Sequence, residues 1–148
     1  MIARKQFYFT CFVIGSMMLN TQSFATDPEH KQNIVILVKN VQAPKGAILI
    51  AIYDNEKDYM KIPTYSHIAT VGDQEEVKIQ AQLPFGNYAF TLFHDVNNNM
   101  ELDTNFFGIP KEPYGFSNNA RAPFGPPGFQ AALIEFNEEG HEIEVLLK

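Results

Sequence analysis

The chain has 148 residues and carries 11 Lys and Arg against 17 Asp and Glu, a formal charge of −6 at pH 7. That length suits one domain, and the acidic balance disfavours nucleic acid or an anionic membrane as a partner while permitting cations. Its single cysteine, Cys11, excludes an internal disulfide, so the fold must rest on its hydrophobic core.

The first segment reads as a secretory signal peptide over residues 1–25. Arg4 and Lys5 form a positive start, Phe7 to Leu19 is an apolar run too short for a stable membrane anchor, and Ser23-Phe24-Ala25 supplies small residues for cleavage after Ala25. Cys11 lies inside the apolar run, too early for a lipoprotein. Cleavage would remove both basic residues of that segment, leaving 9 basic against 17 acidic side chains over residues 26–148. The expected location is periplasmic or secreted. No later apolar run is long enough to span a bilayer, so no membrane insertion is expected after cleavage.

Asn33 to Val38 and Ala47 to Tyr53 are β-branched apolar runs that read as buried strands. Ile68 to Val71 suggests a short edge strand, and Asp54 to Ser66 has room for a helical turn around Glu56 to Met60. Glu75 to Ala81 alternates, with Val77, Ile79 and Ala81 on one face. Asn87 to His94 is an aromatic-rich strand. Ala131 to Phe136 and His141 to Leu147 complete the set, the last with Ile143, Val145 and Leu147 inward. Short segments, frequent turns and the lack of a helical period predict an all-β fold, a single-domain antiparallel β-sandwich of about seven strands over residues 26–148. In Leu83-Pro84-Phe85-Gly86-Asn87-Tyr88, Pro84 and Gly86 suit a tight turn. This Leu-Pro-x-Gly-x-Tyr pattern resembles turns of transthyretin-like and carboxypeptidase-regulatory-like sandwiches, where the tyrosine packs and hydrogen-bonds.

The stretch from Asp95 to Phe129 lacks any strand or helix period, yet it is rich in Phe, Tyr, Gly and Pro. Long loops in compact domains are functional or disordered, and aromatic content argues for order. Asp95, Asn97, Asn99, Glu101 and Asp103 alternate directly after a strand, as do the oxygen ligands of calcium loops, with Glu101 offering its carbonyl. Met100 stands where such loops carry Gly, and Phe106 where a bidentate Glu would close the site; Glu112 would have to fold back to do so. The competing reading is an Asn-rich turn whose side chains cap its own backbone.

Tyr114, Phe116, Phe124 and Arg121 are candidate ligand-binding residues for a carbohydrate or peptide, although some of these rings should plug the sandwich instead. His94 beside Asp95, with Glu112, suggests a hydrolytic set. Adjacent strand residues point to opposite faces, and Ser117 sits in no nucleophile elbow. No zinc spacing and no phosphate-cradling loop is present.

Gly46 to Tyr53, the Leu-Pro-x-Gly-x-Tyr-Ala turn, His-Asp-x-Asn-x-Asn-x-x-Leu-Asp from His94, and Gly108-Ile109-Pro110-Lys111-Glu112-Pro113-Tyr114-Gly115-Phe116-Ser117-Asn118-Asn119 together resemble the bacterial domain-of-unknown-function family numbered 2141. The resemblance runs from about Ile34 to the end. It implies an exported protein and supplies no reaction. The family's pattern has Gly where this chain has Met100. The leading expectation is an exported, non-enzymatic binding or structural module with its working surface between Asp95 and Phe129, ordered by calcium. The rival is a periplasmic hydrolase built on His94, Asp95 and Glu112.

Overall fold

The computed structural model describes residues 31–139 and 142–148; the signal-peptide reading of residues 1–25 lies outside them. Within these residues eight strands form two sheets: β1 (Gln32–Lys39), β2 (Ala47–Tyr53), β3 (Tyr65–Thr70), β4 (Glu76–Leu83), β5 (Gly86–Asp95), β6 (Tyr114–Phe116), β7 (Leu133–Phe136) and β8 (Glu142–Leu146). One sheet has the order β4-β1-β8. The other runs β3-β2-β5-β6, with β7 also pairing β5. The pairings are antiparallel except β1 with β8, which is parallel in register from Val35 opposite Glu142 to Lys39 opposite Leu146. The expected all-β sandwich is therefore present, with one strand more than the pattern predicts and one parallel pair.

The core lies between the sheets. Alternation sends Ile34, Ile36 and Val38 of β1 inward to meet Ile48, Ile50 and Ile52 of β2. Val77, Ile79 and Ala81 are buried as their spacing predicts, as are Val145 and Leu147, while Ile143 is half-buried. Fully burying one such aliphatic side chain contributes about 1.5–3 kcal/mol. β1 is not buried on both faces: Val35 and Leu37 are only half-covered.

A second, smaller cluster covers part of the outer face of the β2–β5 sheet. Tyr53 and Ala89 point away from the main core and meet Phe116, Phe129 and Ala132. Phe129 and Ala132 lie on a one-turn helix, α1 (Phe129–Ala132), that leads straight into β7. Residues 54–64 form a run of turns without a regular helix. They send Tyr59 over this cluster, edge-on to both Tyr53 (5.3 Å) and Phe129 (5.6 Å).

Two tyrosines give the fold a pH dependence. Burial pushes Tyr59 up to about 12, with Tyr53 adding to it. Tyr88 is likewise pushed up to about 12, first by burial and then by Tyr65 and Asp54; its hydroxyl donates to the Pro84 carbonyl at 2.9 Å, which locks the turn before β5. Both groups hold their protons more tightly folded than unfolded, so their contribution is intact below pH 10 and is lost as pH rises toward 12. Urea midpoints measured across that range should fall. The Tyr59 hydroxyl is buried with no partner among the described residues, so Tyr59→Phe should leave the neutral-pH midpoint unchanged or raised and should weaken the alkaline decline.

Candidate functional site

The site grows from the way β5 shares its edge. One side of β5 is fully paired with β2, from Ala89 to Asp95. The other side is divided: β7 takes Gly86 to Ala89 and β6 takes Thr91 to Phe93. Phe90 falls in the gap. Its N–H donates to the Ser117 hydroxyl oxygen at 2.8 Å, and that hydroxyl donates onward to the Ala132 carbonyl. Ser117 is completely buried, so it joins two sheet partners and is unavailable to attack a substrate. The next two residues extend the joint. Asn118 Nδ2 donates to the Ala131 carbonyl, while Asn119 Oδ1 accepts from the Leu146 N–H at 2.8 Å. Both asparagines adopt positive φ (58° and 46°), a conformation Asn tolerates better than most residues.

Beyond β5 the chain travels from Val96 to Pro113 before returning as β6. Asp95 is fully buried, and its two carboxylate oxygens accept the N–H groups of Asn99 (3.1 Å) and Met100 (2.8 Å). Asn97 Oδ1 accepts from Asn99, and Asn99 Oδ1 accepts from Glu101. Met100 has φ 66°, so it adopts the left-handed turn that a glycine would adopt more cheaply. The Asp103 carboxylate receives the side-chain amides of Asn97 (2.6 Å) and Asn99 (3.4 Å). Glu112 does fold back: it is buried, with Oε1 accepting from Val96 N–H at 2.9 Å and Oε2 from Asp103 N–H at 3.1 Å.

Asp95, Asn97, Asn99, Asp103 and Glu112 therefore converge on one short loop, while Glu101 is exposed and reaches it only through its backbone. The side-chain oxygens are hydrogen-bonded within the loop. A calcium ion would have to take the place that the Asn97 and Asn99 amides occupy at Asp103. Among the described residues no group of three or more His, Cys, Asp or Glu side chains is placed to hold a metal. The run also offers the amide oxygens of Asn97 and Asn99, which accept the N–H groups of Asn99 and Glu101.

His94 shares the inward face of β5 with Phe90 and Leu92 and is fully buried. Its Nε2 lies 2.7 Å from the Lys45 carbonyl, which only accepts, so Nε2 carries the proton. Nδ1 is buried with no partner among the described residues. Asp95 sits next along the strand and serves the loop. The three groups of the hydrolytic set are thus each occupied in holding backbone.

Tyr114, Phe116 and Arg121 are brought together around a narrow cleft beside Asn119 and Lys148, with room for only about 10 Å³, the scale of one water. Phe116 is buried and edge-on to the half-buried Tyr114 at 5.9 Å; Arg121 is exposed. Phe124 stands apart, 92% exposed.

Sequence reasoning missed the outermost rings. Residues 103–111 form a small hairpin: Lys111 N–H donates to the Asp103 carbonyl and Asn105 N–H to the Ile109 carbonyl. Its tip, Asn105 to Gly108, closes by a bond from Gly108 N–H to the Asn105 carbonyl, and Asn105 Oδ1 accepts from both Phe107 and Ile109. This holds Phe106 (97% exposed) and Phe107 (81%) out in solvent. The signal available in sequence was Asn-Phe-Phe-Gly, a turn with apolar central residues.

The fold and loop define a class: a two-sheet sandwich carrying a long, self-braced, aromatic loop between two neighbouring strands. The chain belongs to the family described as uncharacterized protein conserved in bacteria (DUF2141), which matches residues 36–144. No match was found among curated proteins or among solved structures.

Proposed function

We propose that this chain is an exported, non-enzymatic binding or structural module of the periplasm or cell surface. Its working surface is the loop from Asp95 to Phe129, with calcium as the ordering ion and a carbohydrate, peptide or other exported component as partner. One observation carries the reading. The carboxylates of Asp95 and Glu112 spend both oxygens on backbone N–H groups, and so they brace a loop that holds rings in solvent. A hydrolase on His94, Asp95 and Glu112 would need those groups free to face a substrate.

The experiment is a thermal melt in chelator and in millimolar calcium. An ion that binds only the folded chain at ten times its dissociation constant adds about 1.4 kcal/mol, which is a rise of about 3–6 °C at this size. Asp103→Asn should abolish the rise, because it removes the charge that faces both asparagine amides. Magnesium should substitute poorly, since it demands octahedral geometry and gives up water reluctantly. Unchanged melting would remove calcium and leave the loop held by its own hydrogen bonds. Turnover of an ester, glycoside or peptide that depends on His94 would overturn the module itself.

A further inference from the structure

The hairpin tip has a composition and a shape that narrow its partner. Thr104 to Pro110 contains no charged residue. Phe106, Phe107 and Ile109 are all exposed there, the two rings edge-on at 5.6 Å. Met100 and Leu102 add exposed apolar surface at its base. The backbone below is fixed by the Asn105 turn and by Glu112, so the rings are presented already ordered and little conformational freedom is lost on contact. A convex pair of rings matches a fluid apolar medium without requiring a shaped pocket.

Charge selects the kind of medium. At the neck, Lys111 and Glu101 are both exposed, one positive and one negative, while the Asp103 carboxylate is turned to the Asn97 and Asn99 amides. A layer of zwitterionic headgroups presents the same two signs at one depth. An anionic surface would meet an exported chain with 9 basic against 17 acidic side chains and repel it. Resting on the reading of this loop as the working surface, we infer that the Phe106–Phe107 tip is a wedge that docks the protein on the interface of a zwitterionic phospholipid membrane, peripherally and reversibly. The apolar payload is small, comparable to weak single-anchor binding.

The chain lacks tryptophan, so Phe106→Trp installs a sole indole at the tip. With vesicles of phosphatidylcholine and phosphatidylethanolamine its emission should shift to the blue and the protein should co-sediment. Phe106→Ser with Phe107→Ser should weaken co-sedimentation about a hundredfold, roughly tenfold per ring. Melting should be unchanged, because neither ring is buried. Adding phosphatidylglycerol should weaken binding. Binding that the double variant retains, or that anionic lipid strengthens, overturns the inference. So does a wild type that ignores vesicles but self-associates through these rings in sedimentation equilibrium, which would leave the loop as the working surface with a second copy as its partner. If neither vesicle binding nor self-association depends on the rings, the wedge and the working-surface reading of this tip both fail.

Discussion

Replacing Gly46 with alanine is expected to destabilise the protein by about 3 kcal/mol or more, the largest effect expected of a glycine-to-alanine change among the described residues. Gly46 has φ +83°, where an L side chain costs on the order of 1 kcal/mol. The greater penalty is steric. A Cβ there would lie 2.1 Å from the Asp95 carbonyl oxygen and 2.9 Å from Val96 Cα, both backbone atoms. Neither can swing aside as a side-chain end would, so β2 and β5 would have to separate where β5 ends and the loop begins. The Gly46 carbonyl also accepts the Val71 N–H at 3.0 Å, so the shift would spread to the end of β3. Gly72→Ala is the control, because a Cβ there meets nothing within 4 Å. Chemical denaturation of both variants is the measurement. Equal midpoints would mean that the strands are not in contact at Gly46.

Much of this fold is legible in the sequence because burial and strand geometry share a period of two. Val77-x-Ile79-x-Ala81 marks an inward face with no knowledge of its neighbours, and the structure buries all three. The β1–β8 pairing was not legible. Alternation says which face of a strand is buried but not which strand lies beside it, and a parallel pair needs a long crossover that leaves no local trace. β6 escaped notice because three residues are too few to show a period, and its middle one, Gly115, is a glycine. That glycine is there for contact: a Cβ would sit 2.8 Å from Val145 Cγ1 and 3.1 Å from the Leu146 carbonyl. The site was legible as a set of oxygens but not as a set of bonds. Spacing placed Asp95, Asn97, Asn99 and Asp103 on one loop, yet could not tell that Glu112 returns to it from nine residues beyond Asp103. Met100 appeared to break the loop pattern. Its φ of 66° means that the backbone keeps the glycine-like turn, with the Met100 N–H held by Asp95 in compensation.

Glu112→Ala should cost about 2–4 kcal/mol, and most of that loss should be local. The side chain is 8% exposed and links the two ends of the asparagine run, with Val96 N–H on one oxygen and Asp103 N–H on the other. Hydrogen bonds to a charged acceptor contribute about 1.5–3 kcal/mol each, and a stranded buried donor also carries its desolvation cost. Truncation would therefore release residues 96–103 while β5 stays paired with β2. Hydrogen exchange should quicken at Val96 and Asp103, and proteases should cut the loop before the sandwich unfolds. Glu112→Gln separates bracing from chemistry. It keeps the length and one accepting oxygen, but turns an NH2 group toward the second N–H donor, so it should lose about half as much stability. A general acid or base would respond in the opposite sense, with catalysis gone in the glutamine variant and the loop still closed. A brace predicts a loosened loop in both variants and a graded loss from glutamate through glutamine to alanine. If the loop amides exchange at the wild-type rate in the alanine variant, Glu112 is not what holds Asp103 against the end of β5.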